Sequence, residues 1–139
     1  MKFAIILLSI STLALNSYAQ CNSDLLSEKS MRSISPGFMF EKSYRIDGKG
    51  GAKNKIEFTC ILSKDTNYQF TMTTKDGGSE NMTFNLLDSK KNTVASNFVN
   101  DKFFSSLTFR CRSTGLYYLS FNFAESSSFC GAAVVAFRR

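Results

Sequence analysis

The chain has 139 residues, four cysteines, no histidine, no tryptophan and a formal charge of +6 at neutral pH. Without histidine the common Ser–His–Asp and Cys–His nucleophile arrangements are impossible, and the usual Cys/His zinc sites go with them. The basic residues (Lys42, Arg45, Lys49, Lys53, Lys55, Lys90, Lys91, Arg110, Arg112, Arg138 and Arg139) are scattered, so no dense nucleic-acid-binding arm is formed.

Residues 1–19 read as a secretory signal peptide. Lys2 supplies the positive start, Phe3 to Leu15 a short apolar core, and Ser17-Tyr18-Ala19 a small-x-small exit before Gln20. The apolar core is too short for a membrane span. Gln20 directly before Cys21 argues against the acylated cysteine of a bacterial lipoprotein. Cleavage after Ala19 removes 19 of the 139 residues and leaves 120, residues 20–139. That is one domain with enough chain for a core. No later apolar run reaches the roughly 20 residues of a spanning helix. With Lys2 gone the charge is +5, from 16 Lys and Arg against 11 Asp and Glu. A moderately basic surface favours anionic partners, although solubility explains it as simply.

Along the mature chain, Cys21-Asn22-Ser23-Asp24 is a helix cap. Leu25, Leu26 and Met31 form the expected apolar stripe, and Ile34-Ser35-Pro36-Gly37 is the stop. Phe38 to Ile46 is a strand of imperfect alternation. The polar loop from Asp47 to Asn54 follows, whose glycines lack the helix and the Lys-Ser pair of a phosphate cradle. Ile56, Phe58, Cys60 and Leu62 alternate with Glu57, Thr59 and Ile61 in the next strand, and Ser63 to Asn67 turns the chain. Tyr68, Phe70 and Met72 mark a further strand, Met82, Phe84 and Leu86 another, and Thr93 to Val99 a weaker one.

The last third is the most regular. Leu107, Phe109 and Cys111 alternate with Thr108, Arg110 and Arg112; Ser113-Thr114-Gly115 is a turn; Tyr117, Leu119, Phe121 and Phe123 line one face of the next strand. Cys130 to Phe137 is apolar on both faces, as in a central strand. The pattern Ile56-x-Phe58-x-Cys60, turn, Tyr68-x-Phe70 recurs as Leu107-x-Phe109-x-Cys111, turn, Tyr117-x-Leu119-x-Phe121. Two such hairpin-like units, with turns every ~8–12 residues, predict an all-β, antiparallel, jelly-roll-like sandwich of about eight strands with one short N-terminal helix.

The four cysteines left after cleavage imply two disulfides. Cys111 is expected to pair with Cys130, closing the loop around Gly115 to Phe129, and Cys21 with Cys60 by elimination. The rival is Cys60–Cys111, which the internal echo places at equivalent, inward positions.

From Ile56 to Phe137 the chain resembles the bacterial pre-peptidase C-terminal domain, a jelly-roll β-sandwich. The resemblance rests on Tyr68-x-Phe70, Phe84-Asn85-Leu86-Leu87-Asp88, Val94-Ala95-Ser96, Leu107-Thr108-Phe109 and Thr114-Gly115-Leu116-Tyr117-Tyr118-Leu119. The start at Cys21-Asn22 and the end at Cys130-Gly131-x-x-Val134 resemble small exported proteins of the Bacteroidota. Golgi-dynamics adaptor domains are similar more distantly. The resemblance implies a fold and no catalytic residues. Pre-peptidase domains accompany a catalytic unit, and this chain carries none.

No catalytic, cofactor or metal residues are therefore expected. The turn aspartates Asp47, Asp65, Asp76, Asp88 and Asp101 lack the spacing of a calcium loop and suit Asx-turns. Carboxylate chemistry from Glu57 and Glu125 is the remote hydrolase alternative. Among 14 Phe and five Tyr, those whose parity leaves exposure open are Tyr44, Phe103, Phe104 and Tyr118. Adjacent Phe103 and Phe104 cannot both point inward from a regular strand. The reading is an exported binding or accessory protein, in the periplasm or outside the cell, whose partner is another protein. A glycan- or envelope-binding module is the alternative.

Overall fold

In the computed structural model the described residues are 20–77, 80–125 and 127–139. The expected signal peptide, residues 1–19, lies outside them. Helix α1 (Ser23–Met31) is followed by strands β1 (Met39–Asp47), β2 (Lys55–Leu62), β3 (Asn67–Thr74), β4 (Met82–Leu87) and β5 (Thr93–Ser96). Two very short strands, β6 (Phe98–Val99) and β7 (Lys102–Phe103), precede β8 (Ser106–Arg110), β9 (Gly115–Phe123) and β10 (Cys130–Arg138). One sheet has the order β1-β10-β3-β8, the other β2-β9-β4-β5, and β6-β7 stands apart as a two-stranded ribbon. All pairings are antiparallel, and the eight main strands have the order of a jelly roll, as expected.

The two echoed units are crossings between the sheets rather than hairpins. β2 pairs with β9 and β3 pairs with β8, so each strand of one unit lies beside a strand of the other. This pairing brings Phe58 opposite Leu119 and Tyr68 opposite Phe109. The core is then crossed by a run of touching rings: Tyr44–Phe58 at 4.9 Å, Phe58–Phe121 at 6.2 Å, Phe121–Phe84 at 5.0 Å and Phe84–Phe70 at 5.2 Å between centroids. β10 is buried on both faces, as its unbroken apolar run requires.

Helix α1 lies over the outer face of the first sheet, against β10, β1 and β3. Asn22 caps it, its side chain accepting from the Leu25 amide at 3.4 Å. The expected stripe of Leu25, Leu26 and Met31 is not the buried one. Ser23, Ser27 and Ser30 face the sheet, whereas Leu25 and Met31 are exposed. The sheet explains the inversion. Its outer face offers Gln69, Thr71 and Thr73 beside the small Ala132 and Ala136, all buried. Small serines allow close approach, and the Ser30 and Thr73 hydroxyls are 2.6 Å apart, while Gln69 accepts from the Ser35 amide at 2.9 Å and donates to the Ser106 hydroxyl of β8 at 2.9 Å.

The disulfide pairing also differs from expectation. Cys21 is bonded to Cys130, and Cys60 and Cys111 are free thiols. Gly131, next to Cys130, faces Thr74 at the end of β3, while Arg110, next to Cys111, faces Asn67 at its start. Cys111 and Cys130 thus lie at opposite ends of a strand about 23 Å long. Cys130 faces Asp47 at the end of β1, and the Cys21 sulfur lies 4.0 Å from the neighbouring Ile46 carbonyl. The helix N-terminus is therefore the cysteine's neighbour.

Candidate functional site

β5 stops at Ser96 because Asn97 takes over the ladder with its side chain. The Asn97 amide donates to the Phe84 carbonyl at 3.0 Å, and its Oδ1 accepts from the Phe84 amide at 2.7 Å. Its Nδ2 donates to the Met82 carbonyl at 3.0 Å, and the residue is fully buried. With the side chain occupying the edge of β4, the main chain is free to leave the sheet. It does so as the β6–β7 ribbon, where Phe98 faces Phe103 and Val99 faces Lys102. Asn100 and Asp101 connect them, both with positive φ (51° and 60°). This is the backbone of a two-residue hairpin turn that Asn and Asp tolerate.

The Phe104 amide returns to the Asn97 carbonyl at 2.7 Å and closes the base of the finger. Ser105 then accepts from the Met72 amide at 2.8 Å, placing β8 on the edge of β3. The finger thus bridges the β5 edge of one sheet and the β8 edge of the other. It presents Phe98, Val99, Phe103 and Phe104 at 40%, 46%, 37% and 48% exposure, with the Phe98 and Phe103 ring centroids 4.6 Å apart. Four large apolar side chains are thus partly exposed on seven residues of chain below the polar Asn100-Asp101 turn, with Phe98 and Phe103 stacked on one face of the ribbon and Val99 on the other.

Of the four aromatic residues singled out from the sequence, Phe103 and Phe104 are here. Tyr44 is not at the surface: it is 6% exposed and packed on Phe58. The bulge between Phe40 and Lys42 in β1 fixes the parity that turns it inward. Tyr118 lies on the outer face of the second sheet, away from the finger, with the Lys91 ammonium 3.4 Å from its ring centroid. Lys91 also forms an ion pair with Glu57. Phe98 and Val99 were hidden within the apparently continuous strand Thr93 to Val99. The signal that finds them is Asn100-Asp101, a hairpin turn flanked by apolar residues.

The described groups whose acidity is most strongly suppressed lie elsewhere, in the core. Burial pushes the Cys60 thiol up to about 12, with Glu41 adding to it. Burial likewise pushes Tyr117 up to about 12, helped by its hydrogen bond with Cys111, and Tyr44 up to about 12, helped by Cys60 and Glu41. The Tyr117 hydroxyl donates to the Ser113 carbonyl at 2.8 Å. Each folded value exceeds the ordinary 9.0 of a thiol or 10.0 of a phenol, so folding favours the protonated form. Their contribution to stability is complete below about pH 9 and is lost as pH rises toward 12. Melting temperature should therefore fall steadily above pH 9, and Cys60→Ala should remove the earliest part of the fall. A flat profile to pH 11 would contradict this.

Among the turn aspartates, Asp47 accepts from the Lys49 amide at 2.8 Å and Asp88 from the Lys90 and Asn92 amides at 2.9 Å each, as Asx-turns do.

No family model matches the chain, and no curated protein matches it. Among solved structures it is similar to PliG of Aeromonas hydrophila, a periplasmic inhibitor of g-type lysozyme. The identity is 14%, over 76% of this chain and 91% of that one, with a TM-score of 0.47. It is also similar to the pre-peptidase C-terminal domain of a Bacillus anthracis collagenase. There the identity is 16%, over 70% and 86% of the two chains, with a TM-score of 0.48. The likeness to small Bacteroidota proteins rests on the sequence alone.

Proposed function

We propose that this is an exported, non-catalytic binding protein that grips a protein partner with the β6–β7 finger. The observation that carries the reading is Asn97: a fully buried side chain, hydrogen-bonded to β4 through both ends of its amide, that roots a ribbon carrying the partly exposed Phe98, Val99, Phe103 and Phe104. Exposing four large apolar side chains costs solubility, and an anchored mount keeps them from collapsing onto the core.

Export is supported by residues 1–19 and by the Cys21–Cys130 bridge, which suits an oxidising compartment. The bridge also occupies the Cys21 sulfur that a lipid anchor would need. The non-catalytic reading is supported by where the reactive groups sit. Cys60, Tyr44 and Tyr117 hold their protons within the core, and Glu57 is engaged by Lys91. A protein partner is favoured over a glycan because Tyr44 is internal and the Tyr118 face is covered by Lys91, which removes two of the four candidate stacking rings.

The test uses cells producing the full chain with a C-terminal tag and a photo-crosslinking side chain at position 104. The control carries it at position 59, on the outer face of the second sheet. One protein should cross-link from 104 and not from 59. Phe103→Ser with Phe104→Ser should reduce its recovery about ten-fold or more, as loss of aromatic anchors does. Both residues are exposed, so the unfolding free energy should stay within about 0.5 kcal/mol. An uncross-linked monomer from position 104 would overturn the reading.

A further inference from the structure

The finger joins the end of β5 to the start of β8, so these two edge strands run back side by side, one on each sheet. At the end of that edge away from the finger, the start of β5 and the end of β8 enclose a cleft of about 490 Å³. One wall is the Asp88–Asn92 turn with Val94; the other is Phe109 to Tyr117. Three cations, Lys90, Arg110 and Arg112, line it against one acid, Asp88.

The acid is already used. Asp88 accepts from the Lys90 and Asn92 amides and faces its own turn. Arg110 has one exposed and long ion pair, to Asp65 at 3.8 Å. Lys90 acts on the Asp88 charge without forming an ion pair, and Arg112 takes part in none among the described residues. The cleft is therefore a site of surplus positive charge with polar walls, from Ser89, Ser113 and Thr114. Two exposed apolar side chains, Val94 and Leu116, stand beside the cations.

We propose that this cleft takes an acidic peptide segment, carrying alternate apolar side chains, of the same partner that receives the finger. The inference rests on the protein-partner reading above. Charge complementarity selects an acidic occupant. The lining favours peptide over acidic saccharide: its rings, Phe109 and Tyr117, are half-buried and buried and meet edge to face at 5.9 Å, so they are engaged with each other rather than laid out as an open stacking platform, while the exposed Val94 and Leu116 suit aliphatic side chains. From Val94 to Phe98 is four residues, about 13 Å of strand. A single partner surface spans that distance, and the two contacts divide the labour. The cleft steers and orients, and the finger holds.

The probe is a blocked decapeptide of alternating Glu and Leu, titrated into the isotope-labelled protein and followed by NMR. Saturable shifts should appear at the Val94 and Leu116 methyls and the Arg112 Nε–H. Arg110→Gln with Arg112→Gln should weaken binding about ten-fold, and raising salt from low to physiological should weaken it further. Phe103→Ser with Phe104→Ser should leave peptide affinity unchanged. Failure of the finger and failure of the cleft are thereby read separately. A Gln/Leu decapeptide binding equally well would overturn the inference, as would shifts confined to other surfaces or absent altogether. An oligogalacturonate binding more tightly than the peptide would make the cleft a saccharide site and likewise overturn it.

Discussion

Asn97→Ala is expected to lower the unfolding free energy by about 2–4 kcal/mol and to abolish capture of the partner, although residue 97 itself is buried. The truncation leaves the Phe84 amide without its acceptor and the Met82 carbonyl without its donor, in a site closed to water. A buried unsatisfied group of this kind costs about 1–3 kcal/mol, and the donor is the dearer of the two. Phe84 stands in the ring stack between Phe70 and Phe121, so the damage is done within the core. Urea denaturation should show a lower midpoint at unchanged slope.

Asn97→Asp sharpens the same test. It keeps the acceptor for Phe84 and replaces the donor to Met82 with a carboxylate oxygen. Folding then favours the protonated acid, so its folded pKa is raised. The Asp variant should be most stable below the ordinary aspartate pKa and lose stability as pH rises through it, a dependence the Ala variant lacks. A loss below about 0.5 kcal/mol for Ala would show that the backbone bonds of Asn97 suffice to hold the finger.

The parts of this molecule that period-two alternation controls were legible in the chain. Tyr117, Leu119, Phe121 and Phe123 are buried as their parity demands, and so are Tyr68, Phe70 and Met72. Two inner sheet faces need nothing more than alternation. The echo between the two Cys-containing units was equally informative: Cys60 and Cys111 are both packed into the core. What alternation cannot convey is which ends of strands meet. The Cys21–Cys130 bridge depends on β10 starting beside the end of β1, a fact of sheet order.

The helix was misread for a related reason. Its leucines suggest the buried face to anyone unaware that the sheet beneath offers Gln69, Thr71 and Thr73. The finger was half legible. Phe103 and Phe104 stood out as adjacent rings that one strand cannot bury together. The break at Asn97 did not, because a side chain replaces backbone pairing only when Phe84 is already beside it.

Removing the bridge, by Cys21→Ser with Cys130→Ser, is expected to cost about 3–5 kcal/mol and to release α1 before the sandwich unfolds. The two cysteines are 109 residues apart, so nearly the whole folded chain lies inside the closed loop. In the chain-entropy account a loop of about 100 residues approaches 4.7 kcal/mol at 25 °C, and native strain or residual unfolded structure reduces it. The helix has little else to hold it. Its buried face is serine, Leu25 and Met31 face outward with Leu26 only half-buried, and the Arg45–Asp24 pair at 2.8 Å is exposed on both sides. An exposed pair contributes at most about 1 kcal/mol. Among the described residues, Ser30 with Thr73 at 2.6 Å, the Ser35 amide donating to Gln69 at 2.9 Å and Gln69 donating to the Ser33 carbonyl at 3.4 Å add hydrogen bonds to the sheet. Hydrogen exchange should therefore accelerate over Ser23–Met31 in the double variant while β3 and β9 keep protection close to the new global value. In the native protein, Cys60 and Cys111 should alkylate only on unfolding, since one is buried and the other holds its proton to about 12. Labelling of Cys21 instead, without reductant, would show that the bridge closes elsewhere. Equal exchange rates over α1 with and without the bridge would show that serine packing alone holds the helix.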